Sequence, residues 1–204
     1  MIEHSKEEAE LLIDPHIEAI RSCVLESWDR WRASDHARHL HWKPVMGNDM
    51  CNYFLEIATH RFYNAGSGVY VQTEGSYVGL YVESALYLRF KKGNRRLRTS
   101  NVQTKSAKAF LDKSQSIQAL EGLTRLELVY VPTRDALDIE RVMLVCKDKG
   151  RIAWTIDLLA RAEPEQNIIE MPPQPAPKGS PADRLIKPKD RSDERNRRTS
   201  GKAS

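Results

Sequence analysis

The chain has 204 residues, of which 40% are apolar, and it carries 32 Lys and Arg against 28 Asp and Glu. This length suffices for one domain with its own hydrophobic core. The sequence has no apolar run long enough for a transmembrane helix, and its acidic N-terminus lacks the apolar segment of a secretory signal, so we expect a cytoplasmic protein without a membrane partner. Three cysteines without a CxxC spacing exclude a disulfide scaffold and a zinc ribbon.

The first part of the chain has the apolar spacing of helices. Apolar residues recur three and four positions apart from Lys6 to Ala33, and Pro15 suits the first turn of a helix within that stretch. A second helix is predicted from Asn48 to Tyr63, because a Gly-rich segment follows it.

β-Branched and aromatic residues become frequent after Gly68 and predict strands. The predicted strands are 69–73, 78–91, 125–131, 139–146 and 152–158, with turns at 74–76 and 148–150. A short helix from Lys105 to Lys113, with Thr104 as its N-cap, lies between the second and third strands. This order predicts an α+β fold in which N-terminal helices pack on a mostly antiparallel sheet of about five strands.

The C-terminal part of the chain differs in composition from the rest. Residues 163–204 contain seven of the ten prolines, no aromatic residue and a mixture of acidic and basic side chains. Such a segment buries too little apolar surface to offset the entropy of ordering it. We therefore predict one α+β domain at 1–162, with Leu86, Leu88 and Trp154 in its core, and a disordered, Pro-rich, mixed-charge basic tail at 163–204.

Positive charge is concentrated in one part of the predicted domain. Residues 89–113 hold nine basic residues and a single acid, Asp112. A strand that leads into a basic loop (residues 89–98) and then into a helix N-terminus suits phosphate, because backbone N–H groups and the helix dipole add to the positive side chains. Tyr81 and Tyr87 are too few to predict a surface for stacking bases. The residues predicted to bind nucleic acid or phosphate are Arg89, Lys91, Lys92, Arg95, Arg96, Arg98, Asn101, Thr104 and Lys105.

The sequence has no motif whose spacing is specific for a catalytic or metal site. The histidines at 36–41 lack the converging spacing that zinc requires. Glu83 precedes Lys91 and Lys92, but restriction-type nucleases place a carboxylate two positions before the lysine, where this chain has an arginine or a phenylalanine. No catalytic residue, metal or cofactor is predicted, and a binding protein is favoured over an enzyme.

Residues 86–158 contain a series of short motifs. They are Leu88-Arg89-Phe90-Lys91-Lys92, Asn101-x-x-Thr104-Lys105-x-Ala107-Lys108, Leu120-x-Gly122-Leu123, Leu126-x-Leu128-Val129-Tyr130, Ile139-Glu140-Arg141-Val142 and Trp154. In this order they resemble an uncharacterised family of small bacterial proteins, associated with genes for repressor-like helix–turn–helix proteins and metallopeptidase-like partners on mobile elements. The resemblance implies a context of toxin–antitoxin, phage defence or element control, and it assigns no catalytic residue.

We therefore predict an accessory or regulatory protein of such a bacterial system, which contacts nucleic acid or an acidic protein partner through the basic loop. One alternative is a small nuclease-like toxin. Another is a purely protein-binding antitoxin or inhibitor. A loop whose charges only keep the chain solvated is the third alternative.

Overall fold

The computed structural model describes residues 4–39, 45–64, 66–99 and 104–160. The helices are α1 (Lys6–Ile13), α2 (Ile17–Ala33), α3 (Asp35–His39), α4 (Met46–Arg61) and α5 (Lys105–Leu111), with short 3-10 helices at Asp14–His16 and Gln118–Leu120. The strands are β1 (Val69–Gln72), β2 (Gly79–Val82), β3 (Leu86–Lys92), β4 (Thr124–Pro132), β5 (Ile139–Asp148) and β6 (Arg151–Asp157). Asn101 and the predicted tail at 163–204 lie outside the described residues.

Local signals explain how the N-terminal helices begin and connect. Ser5 starts α1 with a capping box, in which its hydroxyl accepts the Glu8 N–H and the Glu8 carboxylate accepts the Ser5 N–H. Pro15 lies in the 3-10 turn between α1 and α2, so neither helix has a proline in its interior. The apolar stripes of α1, α2 and α4 pack together against one face of the sheet, which we call the inner face.

The six strands form one sheet in the order β1-β2-β3-β4-β5-β6. Every neighbouring pair is antiparallel except β3 and β4, which are parallel. The predicted α+β class is therefore confirmed, with helices on a mostly antiparallel sheet. Because parallel strands need a crossover, the chain from β3 to β4 must pass across a face of the sheet. The described residues of this connection pack on the face opposite α1, α2 and α4, which we call the outer face.

The prediction of one continuous strand at 78–91 is wrong, and the sheet gains a sixth strand as a result. The chain reverses at Glu83 and Ser84, which have φ values of 50° and 51°, and the Ala85 N–H donates to the Val82 carbonyl at 3.0 Å. Two successive residues at positive φ make a tight hairpin turn, usually signalled by Asn or Gly. Positions 83 and 84 hold neither Asn nor Gly, so the sequence gives no recognisable signal for this turn.

The predicted core positions Leu86 and Leu88 are nevertheless confirmed. Val82 pairs directly with Leu86 across the hairpin, so the apolar residues of β2 and β3 share one face. Leu86 and Leu88 are fully buried there, and Trp154 is partly buried against the same core.

Candidate nucleic-acid interface

Strand β3 divides the predicted basic residues between the two faces of the sheet. The Lys92 amino group lies 3.1 Å from the sulfur of Met46, so it points toward the helices. The Arg89 guanidinium lies 5.3 Å from the centre of the Phe110 ring of α5, on the outer face. Lys91 shares the outer face with Arg89, because side chains two positions apart on a strand point the same way. Lys92 is therefore separated from the rest of the predicted group.

After β3 the chain folds into a compact turn at residues 93–99, which we call the Leu97 loop. Gly93 and Thr99 form an antiparallel bridge at its base. The Asn94 side-chain oxygen accepts the backbone N–H groups of Arg96 and Arg98, at 2.9 and 3.1 Å. The tip of the loop therefore has a defined backbone conformation.

Leu97 fastens this loop to the outer face. Its side chain is only 7% exposed and packs with Val129 and Val131 of β4 and with Met143 and Val145 of β5. Its φ is 55°, in the left-handed region, which costs a residue with a branched side chain about 1 kcal/mol or more. Burial of the leucine offsets this strain, so the loop is held in place by a hydrophobic contact as well as by hydrogen bonds.

The three arginines of the Leu97 loop surround this anchor. Arg95 donates from Nε to a carboxylate oxygen of Glu140 at 2.9 Å, at the start of β5. Arg96 and Arg98 are exposed on either side of the buried Leu97. The loop thus presents three exposed arginines, one of which, Arg95, is paired with Glu140.

A charged centre is buried beneath the end of the Leu97 loop. The Lys147 amino group donates to Glu127 and, at 3.0 Å, to the Thr99 hydroxyl, which itself donates to Glu127 at 2.9 Å. The side chains of Glu127 and Lys147 are 1% and 8% exposed. Burial, together with the positive charge of Arg89, lowers the pKa of Lys91, and Glu127 opposes that shift. Arg89, Lys91 and Lys147 therefore surround one carboxylate, which leaves this part of the outer face positive.

Sequence reasoning missed Glu127 and Lys147. They are 20 residues apart on strands β4 and β5, and neither belongs to the basic loop. The available signal was the alternation at the start of β4, where the charged Arg125 and Glu127 alternate with Leu126 and Leu128. Such alternation indicates that a predicted strand has one polar face.

The predicted N-cap of α5 is confirmed, and its chemistry is that of a helix cap. The Thr104 hydroxyl accepts the Ala107 N–H at 3.1 Å, and Lys105 is exposed beside it. At the other end of α5, the buried Arg125 guanidinium donates to the carbonyl groups of Ala109 and Asp112, at 2.7 and 3.3 Å. Arg125 therefore positions α5 on the sheet.

Glu83, the acid considered for nuclease chemistry, does not converge with Lys91. It lies in the turn before β3, where its carboxylate is 2.7 Å from Nε2 of His16, whereas Lys91 lies near the far end of the strand. In the part of the chain that the structure describes, no group of three or more His, Cys, Asp and Glu side chains is arranged to hold a metal ion.

Comparison with known proteins gives no match to a family model, to a curated protein or to a solved structure. None of the helices within the described ranges has the length and apolar character to cross a membrane. The assignment of a function therefore depends on the geometry of the outer face.

Proposed function

We propose that this chain is a cytoplasmic accessory or regulatory protein that binds the phosphate backbone of nucleic acid through its outer face. Arg96 and Arg98 make the first contacts, while Arg89 and Lys91 extend the positive surface toward the sheet. The resemblance of residues 86–158 supports a place in a bacterial mobile-element, toxin–antitoxin or phage-defence-type system.

The observation that carries this proposal is the anchored conformation of the Leu97 loop. A loop that serves only solubility needs no fixed backbone and no buried leucine in the left-handed region. Here Leu97 and Asn94 hold the arginines on both sides of the anchor. A loop whose backbone is already ordered loses less conformational entropy when it binds, and the planar donors of arginine match two phosphate oxygens.

The second candidate function is binding of an acidic protein partner, as in an antitoxin or inhibitor. The same positive surface supports it, because complementary charge steers protein association as well. Nucleic acid is favoured because the exposed cations of the Leu97 loop are all arginines. Arginine is the residue best suited to bidentate contact with phosphate.

The test is the double reversal Arg96→Glu with Arg98→Glu, measured by fluorescence anisotropy with labelled oligonucleotides. Its matched control is Lys149→Glu with Arg151→Glu, because these exposed residues have the same spacing but lie at the opposite end of β5 from Glu140. We expect the first variant to lose about tenfold or more in affinity and the control to bind like the wild type. Wild-type affinity should also fall steeply between about 50 and 200 mM salt.

Unchanged affinity in the Arg96 and Arg98 reversal would contradict the proposal. A wild-type protein that binds no oligonucleotide, but binds an acidic partner that the same reversal releases, would establish the second candidate instead. Growth arrest on expression, relieved by the loss of a single carboxylate, would support the nuclease-like toxin.

A further inference from the structure

The outer face carries a row of aromatic rings that begins at the edge strand. The register pairs Tyr70 of β1 with Tyr81 of β2, and Tyr81 with Tyr87 of β3. The ring centres of these two pairs are 5.9 and 5.0 Å apart. Phe110 of α5 continues the row, with its centre 5.9 Å from that of Tyr87. Four rings from three strands and one helix therefore lie side by side.

Burial in this row decreases from Tyr87 toward β1. Tyr87 is 1% exposed beneath α5, and its hydroxyl donates to the Val78 carbonyl at 2.8 Å. Tyr81 is partly buried, and Tyr70 is 64% exposed. Core packing accounts for Tyr87 and Phe110, which belong to the same buried cluster. Core packing does not account for the exposed Tyr70 ring at the β1 end of the row, which is available to a ligand.

The row is continuous with the positive part of the outer face. Arg89 follows Tyr87 by two positions on β3, and its guanidinium lies over the Phe110 ring. Lys91 follows by two more positions on the same face. A ligand that lies across β1, β2 and β3 therefore passes from the exposed Tyr70 and the partly buried Tyr81 to positive side chains.

We propose that Tyr70 and Tyr81 form a base-stacking surface and that the nucleic acid bound here is single-stranded. This inference rests on the proposed function and specifies its ligand. A strand whose bases are unpaired can stack them on the tyrosine rings while its phosphates contact the neighbouring cations. In a duplex the faces of the bases are already stacked on one another, so the rings have nothing to bind. Stacking is tolerant of sequence, so we expect little base specificity from this surface.

The experiment compares a labelled single strand with its duplex, using the full chain and the variants Tyr70→Ala and Tyr70→Leu. Leucine keeps apolar bulk on β1 but has no aromatic face, so it separates stacking from the stability of the strand. Tyr70→Phe keeps the ring, and Tyr63→Ala removes an 85% exposed tyrosine that is not in the row. We expect both Tyr70→Ala and Tyr70→Leu to bind the single strand about fivefold or more weakly than the wild type. The Phe and Tyr63 variants should bind it normally.

Two results would separate this inference from the function on which it rests. If the wild type binds single strand and duplex equally and Tyr70→Leu binds like the wild type, the stacking surface is wrong and backbone binding stands. If the wild type binds neither form, while its fold is intact by circular dichroism, the proposed function fails together with this inference.

Discussion

The same six strands present very different side chains on the two faces of the sheet. The inner face is covered by a single apolar core, in which the Phe54 ring of α4 stacks on Phe90 of β3 and Phe90 stacks on Tyr130 of β4, with ring centres 4.2 and 5.0 Å apart. The outer face is divided into an aromatic cluster, a charged centre and a small apolar cluster beneath Leu97. The helices α1, α2 and α4 cover only the inner face. Charged side chains can therefore be placed on the outer face, where parts of the surface remain accessible to water. The proposed binding surface therefore lies on the side of the sheet that α1, α2 and α4 do not cover.

The strongest challenge to this comparison is the variant Glu127→Ala, which tests whether the outer face also carries stability. Removal of the carboxylate leaves the buried Lys147 amino group without its charged partner, so we expect a loss of about 3–5 kcal/mol in the free energy of unfolding. Urea denaturation measures this loss. Glu127→Gln should lose less, because its amide oxygen still accepts from Lys147 and Thr99. A loss below about 1 kcal/mol for Glu127→Ala would indicate a solvated centre.

A matched variant on the inner face is Leu88→Ala. Leu88 is fully buried on a central strand, so the cavity should reduce the free energy of unfolding by about 2–5 kcal/mol. The same denaturation experiment applies. An unchanged midpoint would show that β3 is turned by one residue and that the assignment of its two faces is reversed.

Raising the pH above 9 should change the stability contributions of the two faces in opposite directions. Burial raises the pKa of the Cys23 thiol from 9.0 to about 11 in the helical layer, so the folded state keeps a proton that the unfolded state releases. Stability should therefore fall between pH 9 and pH 11, by up to about 2 kcal/mol from this group. Cys23→Ala should flatten that part of the stability curve, as measured by thermal melts across the pH range.

Lys91 on the outer face should act in the opposite sense. Burial lowers its pKa below the usual 10.5, so the folded state releases the proton first and the contribution of Lys91 to stability rises with pH through that window. Lys91→Met removes a titrating group, and its alkaline loss of stability should therefore be steeper than that of the wild type. If stability falls with pH equally steeply in Lys91→Met and in the wild type, Lys91 is fully solvated.

The smallest expected effect on stability belongs to Arg96→Glu with Arg98→Glu. Both side chains are exposed, so we expect the free energy of unfolding to change by less than about 0.5 kcal/mol. Urea denaturation of this variant makes its binding experiment interpretable. A larger change would mean that these arginines support the loop itself and that the separation between the two faces is incomplete.

Local patterns were sufficient to predict much of the fold. The N-cap at Thr104 and the alternation that buries Leu86 and Leu88 depend on neighbours in the sequence, so they were predicted correctly. The hairpin at Glu83 and Ser84 escaped because neither residue type favours positive φ. The pairing of Glu127 with Lys147, and that of Tyr70 with Tyr81, depend on the register between two strands. No periodicity in a single strand encodes that register.

The parallel pairing of β3 with β4 has a consequence for the kinetics of folding. Strands β1–β3 and β4–β6 are two antiparallel meanders with short connections, so each forms at a small cost in loop-closure entropy. The β3–β4 pairing requires closure of the chain over residues 93–123, and we expect it in the slower step. Arg89 and Lys91 come from the first meander and Glu127 and Lys147 from the second. The Glu127–Lys147 pair lies within the second meander, and Arg89 and Lys91 join it only when the two halves dock. We therefore expect the proposed binding surface to form together with the complete sheet.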